Sequence, residues 1–289
     1  MVEIKPLHEH VGAEVCGADL SKPLSHEAFE AIQSALDKHS VLVLREQPIE
    51  DPELLAFSAR FGRLELTRKG AIGEGRELVV LSNLGSDGNV VPPGHKQIFD
   101  ARANQLWHSD ASFRPVPAYA SVLHGRTIAP DGGETEFAST RVAYETLDPV
   151  LRARIDGLRS VHHFAHSRSL VEPGRLEQAE ADHLPPVVHP LVRPHSRTGA
   201  PALFVGSHLR EILDVASEES REIADTLLHH ATRPSHVYVH EWRPYDVLIW
   251  DNSAVVHRGR PWNEHSAPRH MVRATVADDG YRLGTYYQS

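Results

Sequence analysis

The sequence predicts a mainly β protein with flanking helices: a sandwich or barrel, its helices packed around or beside a mostly antiparallel sheet. Two observations lead there. From Asn104 onward, turn-forming pairs separate short β-prone runs, "YASVLHG", "DGGETEF", "ALFVG", "HVYVHEW", "DVLIWDN" and "RHMVRATV". Helical apolar spacing, by contrast, is confined to a few interrupting segments. No internal repeat and no composition shift divides the chain, so residues 1–289 are read as one domain with long insertions.

Taken in order, Ser25 is a good N-cap, and Phe29, Ile32 and Leu36 recur at helical spacing up to His39. "VLVL", Val41 to Leu44, follows as a strand. A second helix is expected from Asp51 to Arg60, stopped by Gly62. Leu66 to Gln97 is rich in glycine, proline and charge, with only "ELVVLSN" strand-like, and reads as a loop system of the kind that covers active sites. Further helices are expected near Arg141 to Leu158 and Ser217 to His230.

Hydrophobic residues at 40% and charged residues at 24% suit a globular protein with a sizeable core. The net charge of −9 and the lack of a Lys/Arg-rich block argue against nucleic acid and anionic membrane as partners, leaving a small molecule. Cys16 stands alone and "MVEIKPLHEH" lacks a signal-peptide core, so a reducing, cytoplasmic location is expected. No apolar run approaches the roughly 18 residues of a membrane span.

"NQLWHSDASF" places His108 and Asp110 two apart, which on a strand puts both side chains on one face. In a chain with 21 histidines such a pair is weak evidence by itself. A third ligand comes from "DVLIWDNSAVVHRGRPW", where an apolar run delivers His257. Two histidines and a carboxylate leave three positions open, the facial triad of non-haem Fe(II) oxygenases. A zinc hydrolase with water in the fourth position is the rival reading. In "APRHMVRATV", Arg269, Met271 and Arg273 share one strand face, and guanidinium forks match carboxylates bidentately. Arg258, Arg260, Arg269 and Arg273 crowd 16 residues of an acidic chain, which suggests that an anion is held there.

The order His108-x-Asp110, "GGETEF" with Thr135, His257, then Arg269 and Arg273 resembles the Fe(II)/2-oxoglutarate-dependent taurine dioxygenase and 2,4-dichlorophenoxyacetate dioxygenase family. "SVLVLREQP", "FGRLE", "GGETEFASTRVAYETL" and "WDNSAVVHRGR" extend the likeness over most of the chain, closer to the phenoxyacetate branch. The resemblance implies a double-stranded β-helix (jelly-roll) core, with His108, Asp110 and His257 as iron ligands. It implies 2-oxoglutarate held by Thr135 and Arg269, a small anionic substrate held by Arg273, and O2 as oxidant, with ascorbate as in vitro reductant. The expected activity is ether cleavage of an aryloxyalkanoate to a phenol and a 2-oxo acid, with succinate and CO2; an alkylsulfonate or sulfate ester is the alternative substrate. Asn104 matches a substrate-pocket position, and Lys69 a lysine shifted by about one residue. Where a second lysine is expected, this chain has Asn89. The loop between His257 and Arg269 is one residue longer than in taurine dioxygenase. Relatives are often homo-oligomers.

The other histidines and aromatics have simpler readings. His162 and His163 are taken as exposed polar residues near a helix end. His229 and His230 suit a helix C-terminal dipole. His8 and His10 carry no role, and Trp107, Trp250 and Phe204 are expected in the core.

Overall fold

The computed structural model describes residues 2–67, 73–176 and 183–281. After β1 (Glu3–Pro6) and β2 (Ala13–Cys16), α1 (His26–His39) begins where Ser25 Oγ accepts the Ala28 N–H at 3.2 Å. It ends at Ser40, which takes a left-handed φ of 62°. β3 (Val41–Leu44) is wholly apolar because it is buried on both faces. Leu42 and Leu44 join Phe29, Ile32 and Leu36 of α1, whereas Val41 and Val43 point into the space between sheets.

α2 (Asp51–Ser58) stops earlier than expected and tightens into a single 3₁₀ turn over Ala59–Phe61, before Gly62 at φ 148°. The loop system holds β4 (Leu78–Ser82) at the strand-like "ELVVLSN", and then, where loop was expected, runs into α3 (Lys96–Ala103). That helix has little apolar periodicity to reveal it, and it is capped by His95 Nδ1 accepting the Gln97 N–H at 3.3 Å.

β5 (Ala118–Thr127) and β6 (Thr135–Ser139) lead to what was expected to be one helix and is two, α4 (Thr140–Glu145) and α5 (Pro149–Ile155). Pro149 disfavours helical backbone at Asp148, whose carboxylate caps the Val150 and Leu151 N–H groups at 2.9 and 3.2 Å. There follow β7 (Arg159–His162), α6 (Phe164–Ser169), β8 (Val187–Pro190), β9 (Val192–Pro194), β10 (Pro201–Leu203), β11 (Leu209–Ile212), α7 (Ser217–Ala231), β12 (Val237–His240), β13 (Val247–Asp251), β14 (Val255–Gly259) and β15 (His270–Ala277).

Among the described residues, seven strands form one sheet in the order β1-β2-β3-β13-β5-β15-β4, antiparallel except where β2 meets β3. Opposite lies β12-β6-β14; β11-β7-β8 and β10-β9 pair separately. Leu123, Leu248, Trp250 and Met271 of the large sheet meet Phe137 and Val255 of the facing strands in one inner core. α1 and α2 cover the large sheet's outer face, while α4 and α7 pack with Ala138 and Val256 behind the smaller one. The period-2 alternation along β15 sends Val272 and Ala274 outward and Met271 inward. Arg273 thereby faces the space between the sheets.

Candidate active site

His108 and His257 meet directly. Their backbones exchange two hydrogen bonds, His108 N–H to the His257 carbonyl at 3.0 Å and His257 N–H to the His108 carbonyl at 2.8 Å. His108 does not lie in a strand, as the sequence suggested, but forms this one isolated bridge to β14, and Asp110 already belongs to a turn. The shared direction survives, because Ser109 is drawn away by its hydroxyl bond to the Val255 carbonyl at 2.9 Å. One ligand atom from each of His108, Asp110 and His257 lies within 4.8 Å of the others, and all three residues are buried.

The chemistry of this donor set fits a divalent metal. A carbonyl can only accept, so the 2.7 Å contact of His108 Nδ1 with the Leu106 carbonyl puts the proton on Nδ1 and leaves the Nε2 lone pair available. Burial lowers the pKa of both imidazoles, that of His257 well below its usual value, so both are neutral at neutral pH, the form a metal would need. Burial alone would raise the Asp110 carboxyl; the Arg273 guanidinium beside it overcomes this and holds the group below the ordinary carboxylate range. Arg273 Nη1 donates to Asp110 Oδ1 at 2.6 Å and Ser121 Oγ to Oδ2 at 2.7 Å. Asn252 completes the cradle, its Oδ1 accepting from the Asp110 backbone and the Trp250 indole, each at 3.0 Å.

A cavity of about 290 Å³ opens from this cluster. Thr135, Arg269, Arg273 and Asn104 all line it. Thr135 is buried and its Oγ1 accepts the Trp242 indole N–H at 2.9 Å. Arg269 sits 5.1 Å from the Trp262 ring centroid and 3.5 Å from the Gly133 carbonyl, with no carboxylate partner among the described residues. Burial pulls its pKa down to about 10. A sheltered cation without a counter-charge is a seat for an anion. Asn104 caps α3 and its carbonyl accepts the Gly259 N–H at 2.9 Å, so it serves both as strand anchor and as cavity wall.

Two other arginines do not belong to that seat. Arg258 and Arg260 both pair with Glu136, at 2.6 and 2.7 Å, so the anion they hold is the protein's own. Lys69 lies outside the described residues. Asn89 is exposed, bonds Asp87 at 2.8 Å and is no part of the cavity lining.

His162, expected to be exposed, is fully buried and stacks on Phe204 at 4.7 Å. Trp250 and Phe204 are core residues as expected, and Trp250 also packs against the His257 ring at 4.7 Å. The sequence did not reveal His208, which lines the cavity and contacts Ser112 Oγ at 3.1 Å and the Phe113 ring at 4.8 Å. Nor did it reveal Gly206, at φ 127°, where an added Cβ would stand 3.1 Å from His108 Cα. The signals for these lay in "VGSHL", too short to carry a spacing argument.

Residues 3–275 match the family model described as taurine catabolism dioxygenase TauD, TfdA family. The chain is 37% identical over 283 residues to the alpha-ketoglutarate (2-oxoglutarate)-dependent 2,4-dichlorophenoxyacetate dioxygenase of Cupriavidus pinatubonensis, covering 96% of this chain and 98% of that one. It is 30% identical over 287 residues to the (S)-phenoxypropionate/alpha-ketoglutarate dioxygenase of Delftia acidovorans, covering 96% and 95%. The crystal structure of AAD-2 in complex with Mn(II) and N-oxalylglycine superposes with a TM-score of 0.89 at 37% identity, covering 96% of this chain and 98% of that one.

Proposed function

Because the chain belongs to the TauD/TfdA dioxygenase family, we propose that it oxidises an aryloxyalkanoate, cleaving its ether to a phenol and a 2-oxo acid. The observation that carries this reading is the buried His108–Asp110–His257 cluster beside Arg269, which has no carboxylate partner among the described residues, in one cavity. The two facing sheets are taken as a double-stranded β-helix, and residues 1–289 as a single catalytic domain working in the cytoplasm.

His108, Asp110 and His257 would hold Fe(II), with Arg269 and Thr135 taking the distal carboxylate of 2-oxoglutarate. Bound Fe(II), with 2-oxoglutarate and O2, supplies the oxidation of a C–H bond, with succinate and CO2 as co-products. Where the oxidised carbon bears an ether oxygen, the product is a hemiacetal that collapses without further help from the protein. The chain's own work is orientation. Arg273 offers an anion clamp beside Asp110, Phe113 and Phe164 give an aromatic wall, and Leu81 and Leu123 an aliphatic one that limits water.

The test is succinate formation by the purified protein with Fe(II), ascorbate, 2-oxoglutarate and O2, across aryloxyacetates, aryloxypropionates, alkylsulfonates and sulfate esters. Stimulation by an aryloxyalkanoate with phenol released in step is expected. Stimulation by sulfonates or sulfate esters alone would overturn the substrate class and keep the oxygenase.

A further inference from the structure

The turn that follows Asp110 is held from behind by the C-terminal part of the chain. Ala111, at φ 53°, starts a tight turn in which Arg114 N–H donates to the Ala111 carbonyl at 2.9 Å. That turn carries Phe113 into the cavity wall and Ser112 onto His208. On its far side, His189 of β8 contacts the Arg114 carbonyl through Nε2 at 3.1 Å and the Tyr281 hydroxyl through Nδ1 at 2.9 Å. Since a carbonyl only accepts, Nε2 carries the proton and Nδ1 accepts from Tyr281, which gives the chain of bonds one direction. Burial, helped by Arg193, lowers the His189 pKa to about 4, so the neutral ring this requires is the form present at neutral pH.

Tyr281 is itself fixed. Its N–H donates to the Asp278 carbonyl at 2.9 Å, and Asp278 is tied to the fully buried Arg193 at 2.6 Å. The Arg193 guanidinium lies 4.7 Å from the Tyr281 ring centroid and 4.7 Å from that of Phe204. A buried ion pair and an aromatic sandwich thus anchor one end of a relay whose other end is the turn adjoining Asp110.

From this geometry we infer that Tyr281 and His189 are positioning residues, setting the Ala111–Arg114 turn and through it the Asp110 carboxylate and the Phe113 wall. The inference rests on Asp110 being a metal ligand. Neither residue touches the cavity, so their effect must appear in how well the site binds rather than in a lost chemical group.

The test is calorimetric titration of the metal-free full chain with Mn(II) in the presence of N-oxalylglycine, beside melting temperatures. Tyr281→Phe keeps the ring and removes the hydroxyl. It should weaken Mn(II) binding about fivefold, less than the tenfold or more that follows loss of a partner bonded directly to a ligand. His189→Leu should weaken it further. His189→Gln, whose amide can donate to Arg114 and accept from Tyr281, should restore binding close to wild type. Tyr281→Phe with wild-type Mn(II) affinity overturns the relay, and it decides the matter alone if His189→Leu does not fold. Equal weakening by His189→Leu and His189→Gln, both folded, also overturns it. Asp110→Ala separates the two levels: wild-type Mn(II) affinity in that variant removes the ligand assignment itself, whatever Tyr281→Phe does.

Discussion

Arg269 has no carboxylate beside it among the described residues, and this separates its contribution to binding from its contribution to stability. Its guanidinium is sheltered enough for burial to lower its pKa to about 10. Replacing it with Gln removes a charge-assisted bond, worth about 1.5–3 kcal/mol, from the bound carboxylate, so N-oxalylglycine affinity should fall roughly ten- to hundredfold. The same change removes a desolvated charge that has no acid beside it, so the melting temperature of the ligand-free protein should hold or rise. A parallel loss of both would show that Arg269 is a structural cation. Arg273 differs, being bound at 2.6 Å to Asp110. If it also clamps the substrate, Arg273→Ala should raise KM for the aryloxyalkanoate far more than KM for 2-oxoglutarate. Equal increases would assign it to the co-substrate and the metal ligand.

At the scale of elements, turns and strand registers bring these residues together, and glycine decides one of the turns. Gly132 has φ 74°, and an added Cβ would stand 2.5 Å from the Pro261 carbonyl oxygen. The turn it makes leads into β6 and Thr135, and it bridges to Trp262 beside Arg269. Gly132→Ala should cost about 2 kcal/mol or more from left-handed backbone and clash together. It should also weaken N-oxalylglycine binding, whereas Gly157→Ala, at a comparable φ of 82° in open space, should cost stability alone. Strand β8 adds a pH signature. The His189 pKa is about 4 in the folded chain against 6.5 for an ordinary histidine, so the unfolded state takes up the proton first as pH falls. The stability it contributes is intact above 6.5 and is lost as pH drops toward 4. Between pH 7 and pH 5 the wild type should lose about 2 kcal/mol more than His189→Gln in denaturant melts. Equal losses would mean that His189 is protonated in the folded chain.

For the molecule as a whole, what could be read from the sequence follows the range of the interactions. His108, Asp110, Thr135, His257, Arg269 and Arg273 sit in short motifs whose spacing survives in the fold, and the alternation on β15 was legible because strand geometry is local. Ser121, Asn252 and His189 were not, because they reach their partners across 11, 142 and 75 residues of sequence and only the closed sheets bring them there. The helix break at Pro149 could have been read from the proline itself. The long-range closure also predicts how the molecule answers to its ligands. His257 belongs to the smaller sheet, while Asp110 is bound by Ser121 of β5 and Arg273 of β15 in the larger one, so a metal held by both residues fastens one sheet to the other. Mn(II) at about a hundredfold above its dissociation constant should stabilise the chain by about 2.7 kcal/mol, and raise its melting temperature by about 5 °C. Chelation should reverse the rise, and Asp110→Ala should lack it, since the fastening needs a ligand bound from the larger sheet. A rise that persists in Asp110→Ala would place the stabilising metal at other residues and leave the two sheets held by their apolar interface alone.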